Sequence, residues 1–229
     1  MYFPYYFDWT LIILIPAIVL SFWAQAKVST TFSKYSQVRC SRGYTGADAA
    51  RKMLNANGLD SVPIYAIQGT LTDHFDPRNN SISLSDPVVD EQSISAIAVA
   101  CHECGHAIQD ARGYAPLRWR SSLVPIANFG SRFSWILFII GLFMASGLLI
   151  KIGVLLFALT LLFQLVTLPV EFNASSRALA KLENSGWMST DELAGSKQVL
   201  GAAAMTYVAS ACTSLMYLLR MLSLSGRRR

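Results

Sequence analysis

Apolar positions along the chain gather in blocks separated by polar sequence, and the blocks predict helices that cross a bilayer. The first, residues 11–22, reaches about 20 residues once its flanking Trp9 and Trp23 are included, enough to span the hydrocarbon layer. Pro16 falls inside it, where a kink is expected. Residues 133–150 and 152–168 are two near-continuous apolar stretches separated by Lys151 and followed by Pro169, which reads as a transmembrane hairpin. The last block, 199–222, is rich in Ala, Gly, Ser and Thr. Such small residues suit close helix packing, and the block either spans or lies packed at the cytoplasmic face.

Between the first block and the hairpin the pattern is that of an ordinary polar domain. Thr45 with Asp48 three residues on forms a helix-start signal, and Ala49, Ala50, Met53 and Leu54 follow as an apolar stripe ending near Gly58. Residues 62–67 are β-prone, 69–80 are rich in turn formers, and Ser81-Ile82-Ser83-Leu84-Ser85 alternates polar with apolar. Together they predict a small antiparallel sheet. From Ser93 the period turns helical and continues to about Ala111, with Gly113 and Pro116 after it.

Composition agrees with membrane insertion: 53% of the 229 residues are hydrophobic and 14% are charged, too apolar for a soluble domain of this size. The net charge of +5 does not imply nucleic acid, because no basic helix, aromatic-basic interleaving or zinc-finger spacing accompanies it. Lys27, Lys34, Arg39 and Arg42 follow the first block, and Arg118, Arg120 and Arg132 precede the hairpin, which places these segments in the cytoplasm. Only Asp8 is charged before the first block, so it reads as an uncleaved anchor with its N-terminus outside. If 199–222 spans, Arg227, Arg228 and Arg229 end outside, against the positive-inside tendency.

The chemistry lies in His102-Glu103-Cys104-Gly105-His106. On a helix, residues four apart share a face, so both imidazoles can reach one metal ion, and Glu103 beside them can take a proton from a zinc-activated water. Hydrolytic zinc usually has three protein ligands. Glu171 is the candidate third: two crossings separate it from His106 and return it to the same side. A bland account also exists, an acidic residue in the first turn of a helix starting near Pro169. His74 passes the same topological test. Asp110, one turn after His106, is a candidate acceptor for a ring N–H not bound to metal, or simply a solvated helix end. Cys101 and Cys104 bracket the motif. They are read as core thiols, with a redox or second-metal role as the rival.

Four segments, His-Glu-Cys-Gly-His-Ala-Ile-Gln-Asp, Leu-Thr-Asp-His-Phe-Asp-Pro-Arg, Leu-Pro-Val-Glu-Phe-Asn-Ala-Ser and Ala-Ala-Ala-Met-Thr-Tyr-Val-Ala, resemble the YugP-type family of prokaryotic membrane zinc metallopeptidases. Glu171 with Ala174 is distantly similar to the Glu-x-x-Ala-Asp element of HtpX-like membrane proteases, whose Glu is a zinc ligand. Ser175 stands where their Asp would be, which leaves Asn173, Ser175 or neither to orient the ligand helix. The resemblance implies a membrane α+β fold with a small zincin-like, gluzincin-type catalytic domain. The expected organisation is an anchor at 1–26, a catalytic domain at 27–132, a hairpin at 133–168 and a third-ligand and C-terminal helical region at 169–229. It further implies one Zn²⁺ per chain on His102, His106 and Glu171, a protein or peptide substrate, and a multi-pass position in the cell membrane with the site facing the cytoplasm. By the same comparison, residues 73–78 lie near the substrate cleft, where His74 contacts substrate or a developing oxyanion, or else belongs to a turn held by Asp76 and Pro77. A relative that has kept the fold and lost turnover is the remaining alternative.

Overall fold

The computed structural model describes residues 9–226; Asp8 and residues 227–229, on which part of the topology expectation leans, lie outside them. The chain forms two compact units. One takes the described parts of Met1–Trp23 and Tyr207–Arg229 together with Arg120–Val166, and the other takes Ala24–Trp119 and Thr167–Thr206.

A short 3₁₀ segment, Trp9–Leu14, precedes helix α1, Ile15–Ser36. Pro16 is therefore the second residue of α1, directly after the 3₁₀ segment, a helix-start position that tolerates proline. Helices α5 (Ala115–Phe143), α6 (Gly147–Ser185) and α7 (Thr190–Gly226) supply the rest of the apolar blocks. With the segment Thr10–Ser36 they make four helices long and apolar enough to cross a membrane, α7 included. Their apolar side chains largely face outward, as at Phe22, Phe143 and Leu148. In the first unit Phe138, Ile150, Phe157 and Met221 form the buried cluster, with Trp135 set edge-on to Phe138, Phe157 and Tyr217.

The turn between α5 and α6 lies at 144–146, not at Lys151, which is an exposed residue within α6. Ala145 adopts a left-handed backbone with φ 51°. Ser146 N–H donates to Gly141 O at 2.9 Å and Ala145 N–H to Leu142 O at 3.4 Å, the paired bonds of a Schellman stop. Glycine usually marks that position, so the sequence carries no clear signal for the turn.

In the second unit α2, Gly46–Asn55, starts with the expected reciprocal cap between Thr45 and Asp48. Strands β1 (Ile64–Ile67), β2 (His74–Asp76) and β3 (Ser81–Ser85) form one sheet in the order β1-β3-β2. Only β2 and β3 pair antiparallel; β1 pairs with β3 in parallel, so the sheet is mixed. The segment between β1 and β2, with positive φ at Gly69 and Leu71, carries the chain past β3 without a tight hairpin. As the central strand, β3 is buried along its whole length, serines included.

A short α3, Asp86–Val89, leads to α4, Ile94–Ala111, whose first turn is capped by Ser93. Met53, Leu54, Ile82, Leu84, Ile97 and Leu182 meet in the core of this unit. Each such side chain contributes roughly 1.5–3 kcal/mol on burial. At the start of α7, the carboxylate of Glu192 accepts the amides of Ser41 and Ser189 and ties the 36–45 segment to that helix.

Helix α4 meets α6 at Gly105. A Cβ there would stand 2.5 Å from the backbone oxygen of Ala174, too close for any side chain. Gly105→Ala is therefore expected to push α4 from α6 at a cost of about 1–3 kcal/mol. Thermal melting of the detergent-solubilised protein measures this, and an unchanged midpoint would show that the contact tolerates a methyl group.

Candidate metal centre

A carboxylate in the middle of an apolar helix needs partners, because an isolated buried charge is costly. Glu171 is such a group. Helix α6 runs straight through Pro169, so Glu171 lies well inside it and is 2% exposed. The account of Glu171 as a first-turn residue at a helix start does not hold. Pro169 removes one donor, the amide that would have served Leu165 O, and the helix continues.

The partners of Glu171 come from α4. Its Oε2 lies 3.2 Å from His102 Nε2 and 3.6 Å from His106 Nε2. The four-residue spacing stacks the two imidazoles one turn apart, with ring centroids 4.8 Å apart and planes at 86°. Ligand atoms from these three residues all lie within 4.8 Å of one another. For a tetrahedral ion with bonds near 2.1 Å, ligand atoms are separated by about 3.4 Å, and the two carboxylate-to-imidazole distances straddle that value. Two imidazole nitrogens and one carboxylate oxygen are also donors of the kind zinc takes, so the cluster fits that ion.

The outward ring nitrogens are held as well. His102 Nδ1 faces Ser175 Oγ at 3.0 Å, and His106 Nδ1 faces Gln109 Oε1 at 3.0 Å. Gln109, fully buried, donates through Nε2 to Val170 O at 2.8 Å and to Asn173 Oδ1 at 3.0 Å. Asn173 Oδ1 also accepts from Arg177 Nε at 2.7 Å. Gln109 thus occupies the place expected for Asp110, whose side chain is exposed at the end of α4. Position 109 shares the helix face of Gly105 and His102, four and seven residues before it, and that face packs on α6, whereas 110 is exposed.

Burial works to lower the pKa of His106, but the Glu171 carboxylate 3.6 Å from its Nε2 and the charge of Glu103 outweigh this and hold it above the usual value. Glu103 itself is 8% exposed on the same helix.

His74 is not in the cluster. It is an exposed residue of the edge strand β2, and its Nδ1 lies 2.8 Å from Thr72 O. Its neighbours shape the loop: Asp73 accepts the amide and hydroxyl of Ser85, and Asp76 accepts the Arg78 amide and an Asn79 amide proton. The strand next before α4 is β3, paired on both sides, so any added strand would pair with β1 or β2.

Cys101 and Cys104 are fully buried, and Cys104 Sγ lies 3.5 Å from Ala50 O. Burial pushes the Cys101 thiol up to about 12, and burial with the nearby Cys101 and Glu103 raises that of Cys104. Thiols so held carry almost no thiolate at neutral pH, the form that ligates metal or exchanges disulfides.

Two comparisons bear on this cluster. No solved structure matches the chain. It is 49% identical over 215 residues to the "Putative membrane protease YugP" of Bacillus subtilis (strain 168), an alignment covering 93% of this chain and 96% of that protein. A family model described as "Putative neutral zinc metallopeptidase" matches residues 10–226, nearly everything the structure describes. With the two imidazoles of one helix and the buried carboxylate of another already converging on a zinc-sized locus, the chain belongs to that zinc metallopeptidase family.

Proposed function

We propose that this chain is a zinc-dependent membrane endopeptidase that hydrolyses peptide bonds of membrane or membrane-proximal proteins. The observation that carries the reading is the buried Glu171 carboxylate set between His102 Nε2 and His106 Nε2. In this reading His102, His106 and Glu171 hold one Zn²⁺, within a gluzincin-type catalytic domain. Bound zinc supplies a water of lowered pKa and polarises the scissile carbonyl. Glu103 takes a proton from the attacking water and passes it to the leaving amine. Ser175 and Gln109 orient the two imidazoles, and Asn173 holds Gln109 in place.

The apolar blocks anchor the protein in the cell membrane, with the anchor in residues 1–26 and the hairpin in 133–168. The basic residues at 27–42 and 118–132 favour a cytoplasmic site. The exposed edge of β2 would pair with an extended substrate, which brings His74 into contact with it. A redox role for Cys101 and Cys104 is disfavoured by their burial and high pKa.

Glu103→Gln is expected to retain zinc and to lose cleavage by about 10²–10⁴-fold, the usual worth of a general base. Glu171→Ala should lose the metal. Elemental analysis beside a peptidase assay reads both, and full zinc content in Glu171→Ala would return the search for the third ligand to His74. Gln109→Met keeps the shape of the side chain but offers His106 no good acceptor, so zinc affinity measured against a chelator should fall about 10- to 100-fold. Replacing Cys101 and Cys104 together by Ala should leave zinc content and cleavage intact; loss of cleavage with zinc retained would revive the thiol reading.

A further inference from the structure

Arg177, which holds Asn173, also lines a pocket of about 280 Å³ that the proposed peptidase chemistry does not use. Arg112, Arg177 and Lys181 surround it with the amide side chains of Asn57 and Asn184, over Ile108. Among the described residues no carboxylate lies within 4.0 Å of these three cations, since the ion pairs of that length are those of Glu171 with its histidines.

The cations are also held in place. Arg112 Nη2 donates to Asn57 Oδ1 at 3.3 Å, Arg177 Nε donates to Asn173 Oδ1 at 2.7 Å, and Lys181 Nζ stands 5.8 Å from the centre of the Trp187 ring. With Nε committed to Asn173, the terminal amino groups of Arg177 are those left to meet a ligand.

Cations near helix C-termini have an ordinary purpose, the offset of the helix dipole. Arg112 caps α4, Asn57 follows the end of α2, and Lys181 is in the last turns of α6. At roughly half a negative charge each, these three ends neutralise about half of the three positive charges. Arg177, farther from the end of α6, is not explained in this way. The surplus matches a phosphate-type group, which carries about −1.5 to −2 at neutral pH, better than it matches one carboxylate. Guanidinium forks and an ammonium are also the side chains that best bind phosphate oxygens.

We propose that this pocket binds a phosphate-type oxyanion, either free phosphate or the headgroup of a phosphate-bearing lipid. Full-length protein in detergent would be titrated with inorganic phosphate by calorimetry, and exposed to phosphatidic acid or phosphatidylcholine with readout by native mass spectrometry. The variant is Arg112→Gln with Lys181→Gln; Arg177 is retained because it holds Asn173. Arg39→Gln with Arg42→Gln serves as the charge-matched control, and melting temperatures check that both variants fold. Binding to wild type that weakens about tenfold or more in the pocket variant, and not in the control, supports the site. A response to inorganic phosphate assigns the free ion, and a response to phosphatidic acid alone assigns the headgroup. Absence of binding to wild type, or an equal loss in pocket variant and control, overturns the proposal.

Discussion

Everything at the candidate metal locus depends on how closely α4 and α6 approach at Gly105. The imidazoles are on one helix and the carboxylate on the other, 69 positions after His102. A side chain at position 105 would strike the backbone of Ala174, so glycine there sets the helix spacing. That spacing brings Glu171 within 3.2 and 3.6 Å of the two imidazoles and also brings Gln109 to Val170 and Asn173. A buried carboxylate without such partners would cost several kcal/mol. The packing therefore places a group costly to bury where a cation would repay its desolvation.

Caps written in polar side chains could be read from the sequence, and counting crossings made Glu171 a candidate partner of the histidines; the sheet pairing, one helix turn and the partner of His106 escaped it. The Thr45–Asp48 cap and the Ser93 start of α4 follow from short-range hydrogen bonding, and both stand in the structure. The pairing of β1 with β3 does not, because a parallel partner is chosen by a crossover that alternation in Ser81–Ser85 cannot specify. The turn at Ala145 escaped because alanine occupies a conformation that glycine normally announces, while Lys151 offered a false punctuation mark. A long side chain can carry its charge away from an apolar helix surface, so one lysine need not end a helix. Pro169 misled in the same way. Read as a helix start, Pro169 gives Glu171 a bland explanation that the unbroken α6 removes, and the buried Gln109, not the charged Asp110 beside it, faces His106.

The two histidines are not held alike, and the difference follows from hydrogen-bond inventory. Arg177 has only donors, so the Asn173 atom facing it must be the oxygen. That oxygen and Val170 O then require the amide nitrogen of Gln109, which leaves the Gln109 oxygen toward His106. An oxygen at that place accepts, so His106 carries a proton on Nδ1, and Nε2 is the nitrogen left to face Glu171 and the candidate metal locus. Each step is fixed by the one before it, starting from a guanidinium that cannot change roles. His102 meets a hydroxyl instead, and Ser175 can donate or accept by rotating one bond. Its tautomer is set from the metal side rather than from behind. In the proposed zinc site His106 would be the ligand whose proton position is fixed from behind, and His102 the one whose proton position responds to what occupies the locus.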